Sequence, residues 1–126
     1  MSEDNLRFLV VDDEKSMRSL LEVMLSSRFP KAVIDTYADP VEALEQIKNT
    51  KYTVVLSDFN MPVMTGFELG QQAKIIQPDV NFVLMSGNSY NNEKAYQLGV
   101  NFIKKPFRIS ELVSILQEYI PAPKGS

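Results

Sequence analysis

The sequence predicts an α/β fold in which a mostly parallel sheet is covered by helices on both faces. Short strand-like apolar runs alternate five times with stripes of apolar residues at three-and-four spacing, the period of an amphipathic helix. Three of the runs are continuously apolar, as expected for strands buried on both faces. The length of 126 residues fits one domain. We expect it to span residues 1–126, with a core over about 6–120 and a flexible tail at 121–126.

The elements follow one another in strict order along the chain. The predicted strands are short runs bounded by turn residues, and they cover 7–12, 32–37, 53–58, 81–87 and 101–106. The predicted helices lie between and after them, over about 17–27, 40–48, 66–76, 92–99 and 109–120. Asp39 as N-cap, Pro40 at the first helical position and Glu42 closing a capping box predict the start of the second helix. Gly99 predicts the end of the fourth.

The composition of the strands predicts their order. The first, third and fourth are the continuously apolar ones and belong in the centre, whereas the second and fifth mix polar and apolar residues and belong at the edges. This gives the order 2-1-3-4-5, in which ligands bind beyond the carboxyl ends of strands one and three. Strand one ends in Asp12 and Asp13, and strand three ends in Asp58. The three acids are therefore expected to meet in one crevice.

The overall composition excludes several classes of function. A net charge of −3 gives no attraction for nucleic acid or for an anionic membrane. No apolar run approaches the roughly 20 residues of a membrane span, and the acidic N-terminus is no signal peptide, so we expect a cytoplasmic protein. The absence of Cys and His excludes disulfides, thiol nucleophiles, histidine-dependent hydrolases and His-ligated metals. Carboxylates and lysines remain, and they suit a hard cation and phosphate chemistry.

Three carboxylates in one crevice need a compensating charge. Two like charges about 4 Å apart cost on the order of 4 kcal/mol at an effective dielectric near 20. A bound cation or an added proton relieves that cost, and Mg²⁺ is favoured because it needs only one or two carboxylates besides water and phosphate oxygens. Asp12 and Asp13 alone would equally fit turn residues or helix N-caps. The presence of Asp58 at the end of the neighbouring strand favours a cation site over these structural roles.

Two further side chains are expected at the same edge of the sheet. Ser86 ends the fourth strand and Lys105 ends the fifth. Taken alone, Ser86 would be a turn former, and Lys105 would be a solvated edge lysine like its neighbour Lys104. Side-chain alternation puts Ile103 and Lys105 on one face and Phe102 and Lys104 on the other. It does not decide which lysine reaches the crevice.

The ordered set of strand ends resembles a known family. The segments VVDDE, VVLSDFNMPVMTGFE, VLMSG and FIKKPF are similar to the receiver domain of two-component response regulators, in particular the single-domain chemotaxis regulators. The resemblance runs from about Leu6 to Ile120, and it implies a flavodoxin-like doubly wound (βα)5 fold. It implies that Asp58 is the phosphoacceptor, and that Mg²⁺ is held by Asp12, Asp13, Asp58 and the backbone carbonyl of Asn60. The resemblance also implies that Lys105 and Ser86 contact the phosphoryl group. Ser86 and Phe102 would then act as a switch.

The resemblance also implies the function and the partners. A sensor histidine kinase or phosphotransfer protein would phosphorylate Asp58, and the face of helix 4, strand 5 and helix 5 would then control a downstream target or form a homodimer. We expect no enzymatic activity beyond self-phosphorylation and self-dephosphorylation. The last helix carries more apolar residues than one core face needs, among them Ile109, Val113 and Ile120, which fits either a broadly buried helix or a partner surface.

Three alternatives remain open at this point. The chain fits a receiver fragment of a larger multidomain regulator equally well. A Mg²⁺ phosphatase of the haloacid-dehalogenase type also uses a strand-end aspartate, but it wants a second acid where Asn60 stands. A flavodoxin-like mononucleotide binder wants a hydroxyl- or Gly-rich phosphate loop where DDEKS follows the first strand.

Overall fold

The structure is a computed structural model, and it describes residues 5–120. Five parallel strands form one sheet in the order β2-β1-β3-β4-β5. The strands are β1 Arg7–Val11, β2 Val33–Tyr37, β3 Val54–Asp58, β4 Phe82–Ser86 and β5 Asn101–Lys104. The helices are α1 Lys15–Arg28, α2 Pro40–Asn49, α3 Gly66–Ile76, α4 Asn91–Leu98 and α5 Ile109–Leu116. The predicted fold class and strand order are confirmed.

Burial follows the predicted division between central and edge strands. Every residue of β3 and β4 is buried, and so are the last four residues of β1. The edge strands β2 and β5 are mostly half-buried. Continuous apolar runs therefore occur where helices cover both faces of the sheet, and mixed runs occur where one neighbour strand is missing.

Two hydrophobic cores lie on opposite faces of the sheet. On one face α1 and α5 pack against the strands through Leu21, Leu25, Leu112 and Leu116. On the other face α2, α3 and α4 contribute Ala43, Ile47, Leu69, Ala73 and Ala95. Within the described part of the chain, no helix has the length and apolarity that a membrane span requires. The predicted tail at 121–126 lies outside the described residues.

Two predictions about helix ends are wrong. The Asp39 carboxylate accepts from the N–H of Val41 instead of Glu42, so α2 has a simple cap, while the reciprocal capping box occurs at Thr65 and Glu68 of α3. α5 ends at Leu116 and does not continue to Ile120. Beyond it the N–H groups of Glu118 and Tyr119 bond three residues back, to Ile115 and Leu116, which tightens the chain into a turn.

Some, but not all, of the apolar residues in and after α5 that lie outside a single core-facing stripe are buried. Ile115, Tyr119 and Ile120 pack against the core on the α1 and α5 side. Val113 is half-buried, and Ile109 remains exposed. Burial therefore explains most of these apolar residues, and Ile109 is the residue among them that remains available for a partner surface.

The loop between β3 and α3 contains a strained residue. Val63 has a φ of 74°, and the N–H of Met64 bonds to the carbonyl of Pro62 at 2.8 Å, so Val63 is the central residue of a γ-turn. Positive φ is unfavourable for a β-branched residue. The side chain is 91% exposed, so buried contacts do not offset the strain.

We expect Val63→Gly to raise the free energy of unfolding by about 1 kcal/mol. Relief of the strained φ should exceed the 0.5–1 kcal/mol that glycine costs through its larger entropy in the unfolded chain. Urea denaturation measures the change. Val33→Gly is the matched control, because Val33 is an exposed valine on the edge strand β2, and it should lower stability. Equal losses in both variants would show that Val63 is not strained.

Candidate functional site

The three predicted acids meet at the carboxyl edge of the sheet. β1 and β3 are parallel neighbours, so the residues at their carboxyl ends lie side by side. One carboxylate oxygen each of Asp12, Asp13 and Asp58 lies within 4.8 Å of the other two. Asp12 and Asp58 are buried, whereas Asp13 is exposed at the rim. The cluster is therefore open to solvent on the Asp13 side.

Lys105 lies among these acids. Its Nζ donates to Asp58 Oδ1 at 2.9 Å and to Asp12 Oδ2 at 3.1 Å. Lys104 pairs with Ser86 in the β4–β5 register and is exposed. Lys105 comes directly after that last paired residue, and its N–H bonds to the carbonyl of Ser86. The structure thus decides between the two lysines that the sequence left equivalent.

Burial and charge shift the pKa values of this pair. Burial raises the pKa of Asp58, and the negative charges of Asp12 and Asp13 add to that effect, while the Lys105 ammonium opposes it without cancelling it. Burial alone would lower the pKa of Lys105, but the hydrogen bond and the charge of Asp58, together with Asp12, raise it. The pair therefore favours the protonated form of Lys105, while ionisation of Asp58 is less favourable than it is in water.

The loop after β1 fixes the orientation of Asp12. Its Oδ1 accepts from the N–H of Glu14 at 2.9 Å, and its backbone carbonyl accepts from Arg18 Nη1 at 2.8 Å. Lys105 already contacts the other carboxylate oxygen. Asp13 has no such contact among the described residues and is exposed, and the Asp58 side chain is 11% exposed against 0% for Asp12. Asp12 is therefore the least accessible of the three acids. This all-oxygen, multiply anionic set suits a hard divalent cation such as Mg²⁺.

The remaining predicted residues occupy different positions around the acids. Ser86 is buried at the end of β4, and its Oγ accepts from the Asn88 N–H at 3.0 Å and from Asn91 Nδ2 at 2.9 Å. Asn60 is exposed in the loop after β3. Phe102 is half-buried on the face covered by α2, α3 and α4. The metal role of the Asn60 carbonyl and the switch role of Phe102 stay predictions.

Gly66 was missed as a site residue by the sequence analysis. A Cβ at this position would lie 2.1 Å from the Asp58 carbonyl oxygen, so only glycine lets α3 begin this close to the end of β3. Its N–H bonds to the Phe59 carbonyl at 2.8 Å, and the Ser57 hydroxyl donates to the Asp58 carbonyl at 2.9 Å. These contacts fix the backbone on both sides of Asp58. The glycine at the predicted helix start was the available signal.

α4 also contacts the site through side chains that sequence patterns do not reveal. Lys94 Nζ lies 5.6 Å from the ring centroid of Phe59 and 5.7 Å from that of Phe67, within the range of cation–π attraction. Phe59 directly follows Asp58 in the chain. Together with the bond from Asn91 to Ser86, this contact holds α4 next to the acid cluster.

The comparisons agree with this geometry. The family model for the response regulator receiver domain matches residues 8–117. Among curated relatives, the two-component response regulator ARR14 of Arabidopsis thaliana is 32% identical over 120 residues, which are 91% of this chain and 31% of that protein. Sporulation initiation phosphotransferase F of Bacillus subtilis is 27% identical and is matched over 93% of this chain and 95% of its own length. By contrast, the chain spans only 24% to 35% of the length of three curated relatives, of which ARR14 is one.

A solved structure gives the same picture. The response regulator protein TrrA of Thermotoga maritima, solved in complex with Mg²⁺ and BeF, superposes with a TM-score of 0.83 at 26% identity. The match covers 91% of this chain and 99% of that one. The fold of the described residues is thus similar to that of a solved response regulator over nearly its whole length.

We expect Gly66→Ala to lower the free energy of unfolding by at least about 2 kcal/mol, because the new methyl group forces the Asp58 carbonyl and the start of α3 apart. Gly87→Ala is the matched control: a Cβ there meets no atom within 4 Å, so stability should be unchanged or slightly higher. Urea denaturation compares the two. Similar stabilities would mean that the close approach at Gly66 does not constrain the site.

We expect Asp58→Asn to raise stability at pH 7 by on the order of 1 kcal/mol. Because the pKa of Asp58 is raised on folding, ionisation of this carboxyl costs stability as the pH rises from about 3.9 through the higher folded pKa. The gain should therefore shrink towards pH 4. Denaturation with EDTA present, at pH 7 and pH 4, measures it.

Asp79→Asn is the control, because Asp79 forms only an exposed pair with Lys51, and it should stay within about 0.5 kcal/mol of the parent at pH 7. A loss of stability in Asp58→Asn at pH 7 would mean that the ion pair with Lys105 outweighs the burial of the carboxylate.

Proposed function

The chain belongs to the response regulator receiver domain family, and from this premise we propose that it is a phosphorylation-activated switch with Asp58 as the phosphoacceptor. The observation that carries the proposal is the position of Asp58: a buried strand-end carboxylate, beside two other acids, in direct contact with an ammonium. Burial raises the pKa of this carboxyl, so its ionisation costs more there than in water. Such an arrangement is common where chemistry requires it.

The proposed reaction is transfer of a phosphoryl group from a phosphohistidine on a kinase or phosphotransfer protein. A carboxylate oxygen of Asp58 attacks phosphorus, a P–O bond forms, and the P–N bond breaks with its electron pair going to the imidazole nitrogen. Lys105 already reaches Asp58, so its charge is available to the equatorial phosphoryl oxygens. Ser86 donates its hydroxyl hydrogen to one of them. These 126 residues contain no His, so the donor histidine in this proposal lies outside them.

We propose that Mg²⁺ is held by Asp12, Asp13, Asp58 and the backbone carbonyl of Asn60. The oxygen donors and the surplus of negative charge support this choice. Exposed Asp13 and reactive Asp58 are the direct carboxylate ligands in this proposal. Asp12, with each oxygen already accepting one hydrogen bond, contributes through its remaining lone pairs or through a water. When bound, the ion supplies positive charge next to the phosphoryl oxygens.

The proposed output surface is the face of α4, β5 and α5. Tyr90, Tyr96, Lys104 and Ile109 are exposed there, which suits contact with a downstream protein or with a second copy of the chain. Phe102, half-buried beneath this face, is the proposed switch aromatic together with Ser86. We propose that one receiver unit, with a core over about 6–120, acts in the cytoplasm as a signalling switch and not as an enzyme on free substrates.

The phosphatase alternative lacks support at the site. Asn60 stands where that class of enzyme needs its second acid, and an amide has no titratable proton to exchange. The mononucleotide alternative is disfavoured by the loop after β1, where Asp12 already accepts the Glu14 N–H and the neighbouring Asp13 repels phosphate.

We expect one phosphoryl adduct on the chain after incubation with a small-molecule phosphodonor and Mg²⁺, measured by intact mass spectrometry. The adduct should be absent in Asp58→Asn and with EDTA in place of Mg²⁺. Asp13→Asn should lower the yield of the adduct at least tenfold at limiting Mg²⁺, because the ion loses one of its two proposed direct carboxylate ligands. Asp79→Asn is the control with an unchanged adduct.

The possible results separate the alternatives. An adduct that persists in Asp58→Asn would place the chemistry elsewhere. Absence of any adduct in the parent chain, with Mg²⁺ binding shown separately by calorimetry, would leave a binding module and overturn the proposed function. Steady release of inorganic phosphate over many turnovers would instead indicate a phosphatase.

A further inference from the structure

Asn91, the first residue of α4, is joined directly to the hydroxyl of Ser86, which ends β4, the strand that pairs with β3 and its terminal Asp58. Its Nδ2 donates to Ser86 Oγ at 2.9 Å, and the N–H of Asn88 donates to the same oxygen at 3.0 Å. Ser86 is 1% exposed, so water does not compete freely for these positions. The contact connects an element of the outer surface to the end of a central strand.

The two contacts determine what else Ser86 can do. A serine hydroxyl has two acceptor positions and one hydrogen to donate. Asn88 and Asn91 fill both acceptor positions, so the hydroxyl can engage a third group only as a donor. Phosphoryl oxygens are acceptors, and they match this remaining capacity.

The same hydrogen bond contributes to holding α4. Tyr90 at the N-cap makes no capping bond with its side chain, and Ala95 is the one buried residue of α4. Tyr90 and Tyr96 are more than four-fifths exposed. With so little apolar burial, the helix depends on its polar contacts, among which the Asn91 contact is the hydrogen bond to a predicted site residue.

We propose that Asn91 is a positioning residue of the phosphoryl site. By occupying an acceptor position of Ser86, it leaves the Ser86 hydrogen free for the phosphoryl group on Asp58 and ties the first turn of α4 to that hydroxyl. The inference rests on the proposed function, because it assumes that a phosphoryl group sits on Asp58. It assigns to Asn91 a role through Ser86 and no contact with the metal.

The test uses the full chain, Mg²⁺ and beryllium fluoride, the ligand seen in the Thermotoga maritima relative, in place of the phosphoryl group. Calorimetry measures the dissociation constant of beryllium fluoride at saturating Mg²⁺, and the Mg²⁺ affinity alone in a separate titration. Asn91→Ala removes the donor, and Asn92→Ala is the matched control, with the same residue change one position along α4.

We expect Asn91→Ala to weaken beryllium fluoride binding about 2- to 10-fold relative to Asn92→Ala, the range that one neutral hydrogen bond contributes. Asn91→Asp should weaken it more than Asn92→Asp. Both add one negative charge, but only a carboxylate at position 91 can accept the Ser86 hydrogen and withhold it from the ligand. Mg²⁺ affinity should agree within each matched pair.

A double-mutant cycle separates positioning from a general structural effect. In a Ser86→Ala background, Asn91→Ala should cause no further loss of beryllium fluoride affinity, because its effect passes through the missing hydroxyl. A loss of equal size in both backgrounds would overturn the inference.

The outcomes also separate this inference from the proposed function. If the parent chain binds beryllium fluoride with Mg²⁺ but the Asn91 and Asn92 variants bind it equally, the function stands and the role of Asn91 is wrong. Tighter binding by Asn91→Ala would also overturn it, since Asn91 would then hold Ser86 away from the ligand. If the parent chain neither binds beryllium fluoride nor gains a phosphoryl adduct, the proposed function falls and the inference falls with it.

Discussion

The placement of one ammonium between buried carboxylates is the interaction on which the site depends. Asp12, Asp13 and Asp58 repel one another at the edge of the sheet, and Lys105 contacts the two that are buried. One positive charge does not balance three negative ones, so the crevice keeps a net negative charge open to solvent at Asp13. That residual charge makes a divalent cation a favourable occupant. Burial of the Asp58 carboxyl, with a smaller contribution from the charges of Asp12 and Asp13, keeps its pKa raised despite Lys105.

The fold keeps this unfavourable cluster in place by fixing the backbone around it. β1 and β3 end side by side in the centre of a sheet whose two faces are both covered by helices. The Asp58 carbonyl accepts the Ser57 hydroxyl, and Gly66 starts α3 against the same carbonyl. Because the main chain cannot relax away from the repulsion, the carboxylate must respond through its charge state or its ligands. Stability of the core thus maintains the Asp58 carboxyl in an unfavourable environment.

The fold was largely predictable because burial on both faces leaves a clear signal in the strands. Continuous apolar runs identified the central strands, and with them the crevice of Asp12, Asp13 and Asp58. Alternation could not choose between Lys104 and Lys105, since the reaching lysine lies beyond the last paired residue, where strand parity no longer applies. The end of α5 carried no stop signal before position 121. The contacts of Asn91 and Lys94 depend on how α4 docks, which local patterns do not encode.

In the proposed switch, the attachment of α4 is the route by which a change in charge at Asp58 reaches the surface without crossing the core. Asn91 bonds to Ser86, and Lys94 lies over Phe59, the residue after Asp58. Ser86 ends the strand that pairs with β3, and Phe59 directly follows Asp58, whereas Ala95 is the one fully buried residue of the helix and Leu98 is half-buried. An acyl phosphate on Asp58 carries a charge of about −1.5 to −2 in place of the single negative charge of the carboxylate, and it presents three phosphoryl oxygens as acceptors. Ser86 and Lys94 are the polar and cationic groups of this attachment, so the added charge acts first on the contacts that hold α4.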